Sequence, residues 1–113
     1  KSNRQHHYMA SGRVNGKRVT FMLDTGATDV VVPQALANTL GLAAGFKSTA
    51  ITANGTVQVR NTVIDTLELG AIKLTNIKAS INPGMQGKEI LLGMSALKHL
   101  EFSQSDDTLT LKQ

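Results

Sequence analysis

The sequence contains no cysteine and no tryptophan, and it has only two prolines, one tyrosine and three phenylalanines. Without cysteine there are no disulfides, no thiol nucleophile and no thiolate-bound metal. No stretch approaches the run of about eighteen apolar residues that a membrane-spanning helix needs, and the polar start, residues 1–7, is unlike a signal peptide. A chain of 113 residues has room for one domain with a single hydrophobic core.

Charge of one sign is in modest excess. Twelve basic and eight acidic residues give a net charge of +4. Beyond residue 18 the basic residues stand singly, and the few aromatic residues are not interleaved with them as stacking platforms. We therefore interpret the charge as a solvated surface and expect no nucleic-acid partner. A basic nucleic-acid-binding β-barrel is kept as an alternative hypothesis, which predicts salt-dependent binding of RNA or DNA.

Histidine is also scarce, at positions 6, 7 and 99. Adjacent residues on an extended chain point to opposite faces, and no carboxylate lies at ligand spacing from the first two histidines. We therefore predict no metal site, and nothing else in the sequence calls for a cofactor.

Glycine and Asn-Gly pairs divide the sequence into short apolar runs, which is typical of an all-β domain. Asn-Gly is the preferred two-residue turn of a tight hairpin. The predicted elements are a hairpin over 7–14 and 17–23, a strand 29–32, a helix 33–40, a hairpin 48–59 with Asn54-Gly55 at its tip, strands 57–69 and 72–81, a loop 82–88, a strand 90–92, a helix 94–99, and edge strands 100–102 and 108–111.

One segment, Leu23-Asp24-Thr25-Gly26-Ala27, is unusual because an ionisable residue directly follows an alternating apolar strand. Such a segment can be an ordinary Asx turn, in which the aspartate bonds its own backbone and glycine supplies a positive φ. A second segment favours a functional role over an ordinary turn. The apolar run Ile90-Leu91-Leu92-Gly93 begins 66 residues after Asp24 and is followed by a stretch of helical composition.

In order, the chain shows a hairpin, apolar-Asp-Thr-Gly-Ala, a hairpin with a glycine-containing tip, and apolar-apolar-Gly-helix. This arrangement resembles the retropepsin-like aspartic proteases from about Ser11 to Leu111, and Thr52-Ala53-Asn54-Gly55 and Leu92-Gly93-Met94-Ser95 look most like the bacterial members. The resemblance implies a closed acid-protease barrel with one or two short helices. Residues 11–113 would form the protease domain, with residues 1–10 as an N-terminal tail or linker.

The chemistry explains why the aspartate matters. Hydrolysis of a peptide bond without a metal needs a base that takes a proton from water and an acid that protonates the substrate carbonyl. Two facing carboxylates that share one proton supply both, as pepsin-type proteases illustrate. Because this chain has one Asp-Thr-Gly, the dyad requires Asp24 from each of two chains in an isologous homodimer.

The resemblance also implies roles for the neighbours of Asp24. Thr25 would brace the two loops through its hydroxyl, Gly26 would allow close approach of backbones, and the carbonyls of residues 26–28 would hold substrate main chain. The hairpin from Thr49 to Val59 would be a flap that closes over substrate. The expected substrate-binding residues are Ala27, Thr28, Asp29, Val31, Ile51, Ala53, Asn54, Gly55, Met85 and Leu91.

The resemblance is not uniform along the chain. Retroviral enzymes carry an acid directly after Asp-Thr-Gly-Ala, where this chain has Thr28 followed by Asp29, and they carry Arg with an acid or amide where this chain has Met94-Ser95.

The last strand, 109–111, belongs either to a sheet between two chains or to an edge within one chain. The expected partners are a polypeptide substrate and a second copy of the chain.

Two further questions stay open in the sequence. A catalytically silent binding or oligomerisation domain of the same fold is the alternative to a protease. Since the chain starts at Lys1 and not at methionine, we interpret it as a fragment of a longer precursor. Bacterial relatives often have an N-terminal membrane anchor with the protease outside the cytoplasm, so a periplasmic or membrane-anchored location is a hypothesis, with any membrane contact through a missing anchor.

Overall fold

The computed structural model describes residues 8–52, 55–105 and 108–112. Nine strands and two short helices follow one another in this part of the chain. They are β1 (Met9–Val14), β2 (Lys17–Leu23), β3 (Val30–Pro33), α1 (Gln34–Leu40), β4 (Lys47–Thr52), β5 (Gly55–Leu69), β6 (Ile72–Asn82), β7 (Glu89–Leu92), α2 (Met94–Leu97), β8 (Glu101–Ser105) and β9 (Thr108–Lys112).

Six strands close into a barrel in the order β1-β2-β7-β3-β6-β5, and β5 returns to β1. Two of the contacts, β2 with β7 and β3 with β6, are parallel, and the others are antiparallel. Strand β4 lies outside the ring and pairs only with the first part of β5. The all-β fold and the closed acid-protease barrel that the sequence predicts are therefore confirmed.

The first hairpin shows why its turn carries Asn-Gly. Asn15 and Gly16 both have positive φ, 51° and 84°, as a tight turn of the I′ type requires. The Asn15 side chain also accepts a hydrogen bond of 3.0 Å from the Thr66 amide, and the Asn15 amide donates one of 2.9 Å to the Thr66 carbonyl. The turn is therefore tied to β5, which helps to close the barrel.

The core lies inside the barrel and under α1 and α2. Burying an apolar side chain of this size stabilises a fold by about 1.5–3 kcal/mol before the entropy of ordering is subtracted. The largest fully buried side chains are those of Phe21, Ile64, Leu67, Ile81, Ile90, Leu92, Leu97, Val14, Val30, Val32 and Pro33. Alternate residues of β2 and β7 thus supply the interior on which the following loops rest.

Both helices are short, with seven residues in α1 and four in α2. Pro33 is the N-cap of α1, and Gly41, with φ 71°, ends it in the left-handed conformation that a side chain would strain. α2 has only four residues and follows Gly93 directly. In the described part of the chain, no helix has the length and apolar character needed to cross a membrane.

Several boundaries differ from the sequence predictions. β1 begins at Met9, so Met9 and Ala10 belong to the sheet and not to a leading tail, because they pair with Met22 and Phe21. The second arm of the predicted hairpin 48–59 and the predicted strand 57–69 form one uninterrupted strand, β5, of fifteen residues. Helix α2 stops at Leu97 and not at residue 99. The final strands β8 and β9 pair with each other within one chain.

Candidate active site

A groove of about 760 Å³ runs between the loop after β2, strand β6 and the hairpin β4–β5. Asp24, the first residue after β2, lines it and is half-buried. The residues around the groove are Asp24, Gly26, Ala27, Thr28, Asp29, Val31, Ser48, Thr49, Ala50, Ile51, Val59, Asn61, Lys78, Ser80, Asn82, Met85 and Leu91.

The loop that carries Asp24 is held by its own backbone. The Gly26 amide donates to Asp24 Oδ1 at 3.0 Å, and the Ala27 amide donates to the Asp24 carbonyl at 3.1 Å. The Asp24 amide in turn donates to the Leu92 carbonyl at 3.2 Å. The segment is therefore an Asx turn, as one interpretation of the sequence holds, and the same turn fixes one carboxylate oxygen at the groove.

Gly93 permits a close approach between the end of β7 and the loop that follows Asp24. A Cβ at Gly93 would overlap the Asp29 carbonyl oxygen and lie 2.8 Å from the Ala27 carbonyl oxygen. The φ of Gly93 is −87°, so the requirement is for space and not for an unusual conformation. The end of β7 thus packs directly against the loop after Asp24.

Helix α2 is attached to the same loop through its first amides. Met94 N donates to the Ala27 carbonyl and Ser95 N to the Thr28 carbonyl, each at 2.8 Å. These two carbonyls were expected to hold substrate main chain together with that of Gly26. Helix α2 already uses these two carbonyls. Of residues 26–28, Gly26 is therefore the one whose carbonyl accepts no hydrogen bond within the described residues.

The Ser95 hydroxyl joins three elements. It accepts a hydrogen bond of 3.0 Å from the Val30 amide and donates one of 2.7 Å to the Lys78 carbonyl. It therefore holds α2 against the start of β3 and the middle of β6. From the sequence, Ser95 belongs to a segment that looks like the bacterial members and departs from the retroviral pattern, and this role was not predicted for it.

Asp29 occupies a separate polar corner of the groove. Its Oδ2 accepts a hydrogen bond of 3.3 Å from the hydroxyl of Ser80, a buried residue, and lies 4.0 Å from Lys78 Nζ. The Lys78 side chain is 66% exposed and that of Asp29 is 19% exposed. The ion pair is loose, and because the lysine is largely solvated it adds little to stability.

The hairpin β4–β5 forms one wall of the groove. Its strands pair from Lys47 with Arg60 to Thr52 with Gly55, and Asn61 Nδ2 donates to Ser48 Oγ at 2.9 Å near its base. This wall contributes Ser48, Thr49, Ala50, Ile51, Val59 and Asn61 to the groove, and of these the Ile51 side chain is 88% exposed.

The sequence-predicted residues fall into three groups. Nine line the groove: Asp24, Gly26, Ala27, Thr28, Asp29, Val31, Ile51, Met85 and Leu91. Thr25 is exposed on the same loop but is not part of the lining, and Gly55 is exposed at the start of β5 with φ 109°. Ala53 and Asn54 lie outside the described residues.

Several lining residues of β4, β5 and β6 are not among those predicted from the sequence. On β6 a signal was present, because Lys78, Ser80 and Asn82 alternate with apolar residues and so share one face of the strand. Ser48 and Asn61 lie on two strands whose pairing brings them together, which no short pattern in the sequence indicates.

Metal-ligating side chains do not gather in the part of the chain that the structure describes, where no group of three or more His, Asp or Glu could hold an ion. His99 is exposed after α2, and His6 and His7 lie outside the described residues.

A comparison of the sequence with protein families decides the family. The model described as "gag-polyprotein putative aspartyl protease" matches residues 10–99. The chain belongs to this family of aspartic proteases. Its fold is that of the retropepsin-like members: a crystal structure of a retropepsin-like aspartic protease from Rickettsia conorii superposes with a TM-score of 0.78, at 30% identity, over 98% of this chain and 93% of that one.

EIAV protease in complex with the inhibitor HBY-793 shares the fold of this retropepsin-like chain, with a TM-score of 0.68 at 20% identity over 88% of this chain and 92% of that one. Two curated relatives are uncharacterized proteins. One, from a Sinorhizobium species, is 32% identical over 87% of this chain and 43% of its own length. The other, from Rickettsia prowazekii, is 29% identical over 93% of this chain and 46% of its own length. The chain thus spans less than half the length of these curated relatives.

Proposed function

We propose that the chain is an aspartic endopeptidase in which two copies each contribute Asp24 to one catalytic dyad. The single observation that carries the proposal is the position of Asp24, which borders a groove of about 760 Å³ on a loop held by Gly26 and Leu92. Membership of the aspartic protease family supports it.

The need for a second copy follows from the carboxylates of one chain. Besides Asp24, the groove contains Asp29, but that side chain is engaged by Ser80 and Lys78 at another corner. A dyad needs two carboxylates close enough to share one proton. A two-fold axis next to Asp24 would supply the partner, since an isologous contact brings the same residue from both chains together.

Three exposed residues are suited to contact a second copy. Thr25 lies on the Asp24 loop, Ile51 on the hairpin wall is 88% exposed, and Met94 at the start of α2 is 36% exposed. Covering the two apolar side chains would favour association. Met94 stands where retroviral enzymes have arginine, so we propose that this contact is apolar here and not ionic.

In the proposed reaction one Asp24 carboxylate takes a proton from water as the water oxygen bonds to the peptide carbonyl carbon, while the protonated partner donates its proton to the carbonyl oxygen. The C–N bond then breaks as the first carboxyl group gives its proton to the leaving nitrogen and a hydroxyl of the tetrahedral intermediate returns a proton to the partner. The Gly26 carbonyl accepts a main-chain amide of the substrate, which lies as an added strand. The hairpin β4–β5 covers the groove, and its backbone groups near Gly55 hold the other side of the substrate while bulk water is excluded.

The test is cleavage of a mixed peptide library by the wild-type chain and by Asp24→Asn, from acidic to neutral pH, with and without a statine-type inhibitor. Asp65→Asn is the matched control, because Asp65 is an exposed residue of β5 away from the groove. We expect cleavage by the wild type and by the control, none by Asp24→Asn, and inhibition by the statine.

Cleavage by Asp24→Asn would overturn the proposal. If the wild type forms dimers by sedimentation but cuts no peptide, the alternative holds, and the domain binds or oligomerises without catalysis. The sedimentation measurement is therefore made on the same samples as the cleavage assay.

A further inference from the structure

A second concave surface lies away from Asp24, on the outer face of the hairpin β1–β2 where it meets β5. It encloses about 510 Å³ and is lined by residues that include Ser11, Arg13, Arg18, Thr20 and Glu68. We call it the arginine groove. Nothing in the proposed proteolytic reaction uses it.

Two like charges face each other in the arginine groove. Arg13 pairs in register with Arg18 across the antiparallel strands, and Ser11 pairs with Thr20 in the neighbouring position on the same face. Like charges directly opposite each other destabilise a sheet. Neither guanidinium forms an ion pair within the described residues.

The charges of the adjoining strands only partly compensate the pair. Glu68 on β5 is in register with Arg13. The row Arg18, Arg13 and Glu68 therefore contains two cations and one anion. The surface has an excess of positive charge with the two arginines at one end.

The groove is built on fixed backbone. A Cβ at Gly12 would overlap the Glu68 carbonyl oxygen and lie 2.7 Å from Phe21 Cε2, so β1 lies directly against β5 and the core. At the other side of the hairpin, Lys17 Nζ donates to the Thr39 carbonyl at 2.8 Å and ties β2 to the end of α1. The two arginine side chains thus extend from a support with little freedom to separate.

We propose that the arginine groove binds an acidic segment of a polypeptide. A guanidinium binds a carboxylate through two parallel hydrogen bonds, and two guanidinium groups with two nearby hydroxyls, those of Ser11 and Thr20, suit consecutive carboxylates. Among the described lining residues no aromatic side chain offers a platform for nucleic-acid bases, which favours a peptide over a nucleic acid.

The distance from the arginine groove to Asp24 indicates a role for the acidic segment that it would bind. β2 leads directly from Arg18 to Asp24, and six residues of strand span about 20 Å. An extended peptide of similar length reaches from one to the other. If the proposed function holds, the groove is a secondary site that favours substrates with an acidic segment about six residues or more from the scissile bond.

The binding test uses the isotopically labelled Asp24→Asn chain, which cannot consume the probe. An end-capped tetraglutamate peptide is titrated by NMR, with tetraglutamine, inorganic phosphate and hexathymidylate as comparison ligands. We expect tetraglutamate to shift the amides around Arg13 and Arg18. The added double change Arg13→Gln and Arg18→Gln should weaken its binding about tenfold. The control pair, Lys88→Gln and Lys98→Gln, removes the same charge from exposed positions outside both grooves and should change affinity less than about twofold.

Equal affinity of the double arginine variant and the control pair would overturn the proposal, as would binding of hexathymidylate or phosphate at least as tight as that of tetraglutamate. The active chain provides a second readout: for a substrate with a distal acidic segment, the double variant should raise KM with kcat unchanged. If the wild type cuts nothing but tetraglutamate still binds at the arginines, the proposed function fails and the assignment of the groove stands.

Discussion

Replacing Ser95 by alanine tests the architecture behind the Asp24 loop. The change removes the acceptor of the Val30 amide and the donor to the Lys78 carbonyl, at 3.0 and 2.7 Å. Val30 is fully buried, so its N–H would lose its partner without gaining water. An unsatisfied buried donor costs about 1–3 kcal/mol and the second hydrogen bond about 1 kcal/mol, so we expect a loss of about 2–4 kcal/mol in the free energy of unfolding.

The assay is urea denaturation at one fixed protomer concentration, since association would otherwise change the apparent stability. Ser95→Thr keeps the hydroxyl and should recover most of the loss. Ser11→Ala is the matched control, because Ser11 is exposed and its hydroxyl makes no hydrogen bond within the described residues. A loss below about 0.5 kcal/mol for Ser95→Ala, the size of an ordinary surface change, would refute the reasoning.

Three further changes probe other parts of the account. Gly93→Ala should destabilise by about 3 kcal/mol, because its methyl group would overlap the Asp29 carbonyl, whereas Gly84→Ala, which has space, should be nearly neutral by denaturation. Arg18→Glu should raise the free energy of unfolding by about 0.5–1 kcal/mol, with a smaller gain in high salt, because an attractive pair would replace two like charges; an unchanged midpoint would contradict this. Ile51→Ala should leave unfolding at low concentration unchanged but weaken dimers by up to about 2 kcal/mol in sedimentation, and equal dimerisation would exclude this side chain from the contact.

Short sequence patterns predicted the turns, the end of α1 and the buried strands, because neighbouring residues determine these features. Asn15-Gly16 has the two positive φ values of a tight hairpin turn, and Gly41 ends α1 in the left-handed conformation. The apolar alternation of β2 and the run 90–92 predicted buried strands, which pair in parallel next to the Asp24 loop. The resemblance then supplied the arrangement of these elements as a closed barrel, which periodicity alone does not specify.

The remaining features depend on contacts between residues far apart in the chain. Whether the carbonyls of Ala27 and Thr28 are available for substrate depends on α2, which begins 67 residues after Ala27. The role of Ser95 likewise depends on the backbones of β3 and β6. Such hydrogen bonds leave no periodic signal, so the sequence indicated residues that line the groove but not the bonds that shape it.

Subunit mixing tests the central claim, that one active site contains Asp24 from two chains, most directly. A fixed amount of wild-type chain is mixed with increasing Asp24→Asn chain, at concentrations where sedimentation shows dimers. Because random pairing places most wild-type chains in mixed dimers, a threefold excess of the variant should reduce cleavage to about one quarter. Cleavage that stays constant would show that a single chain is active and would contradict the account.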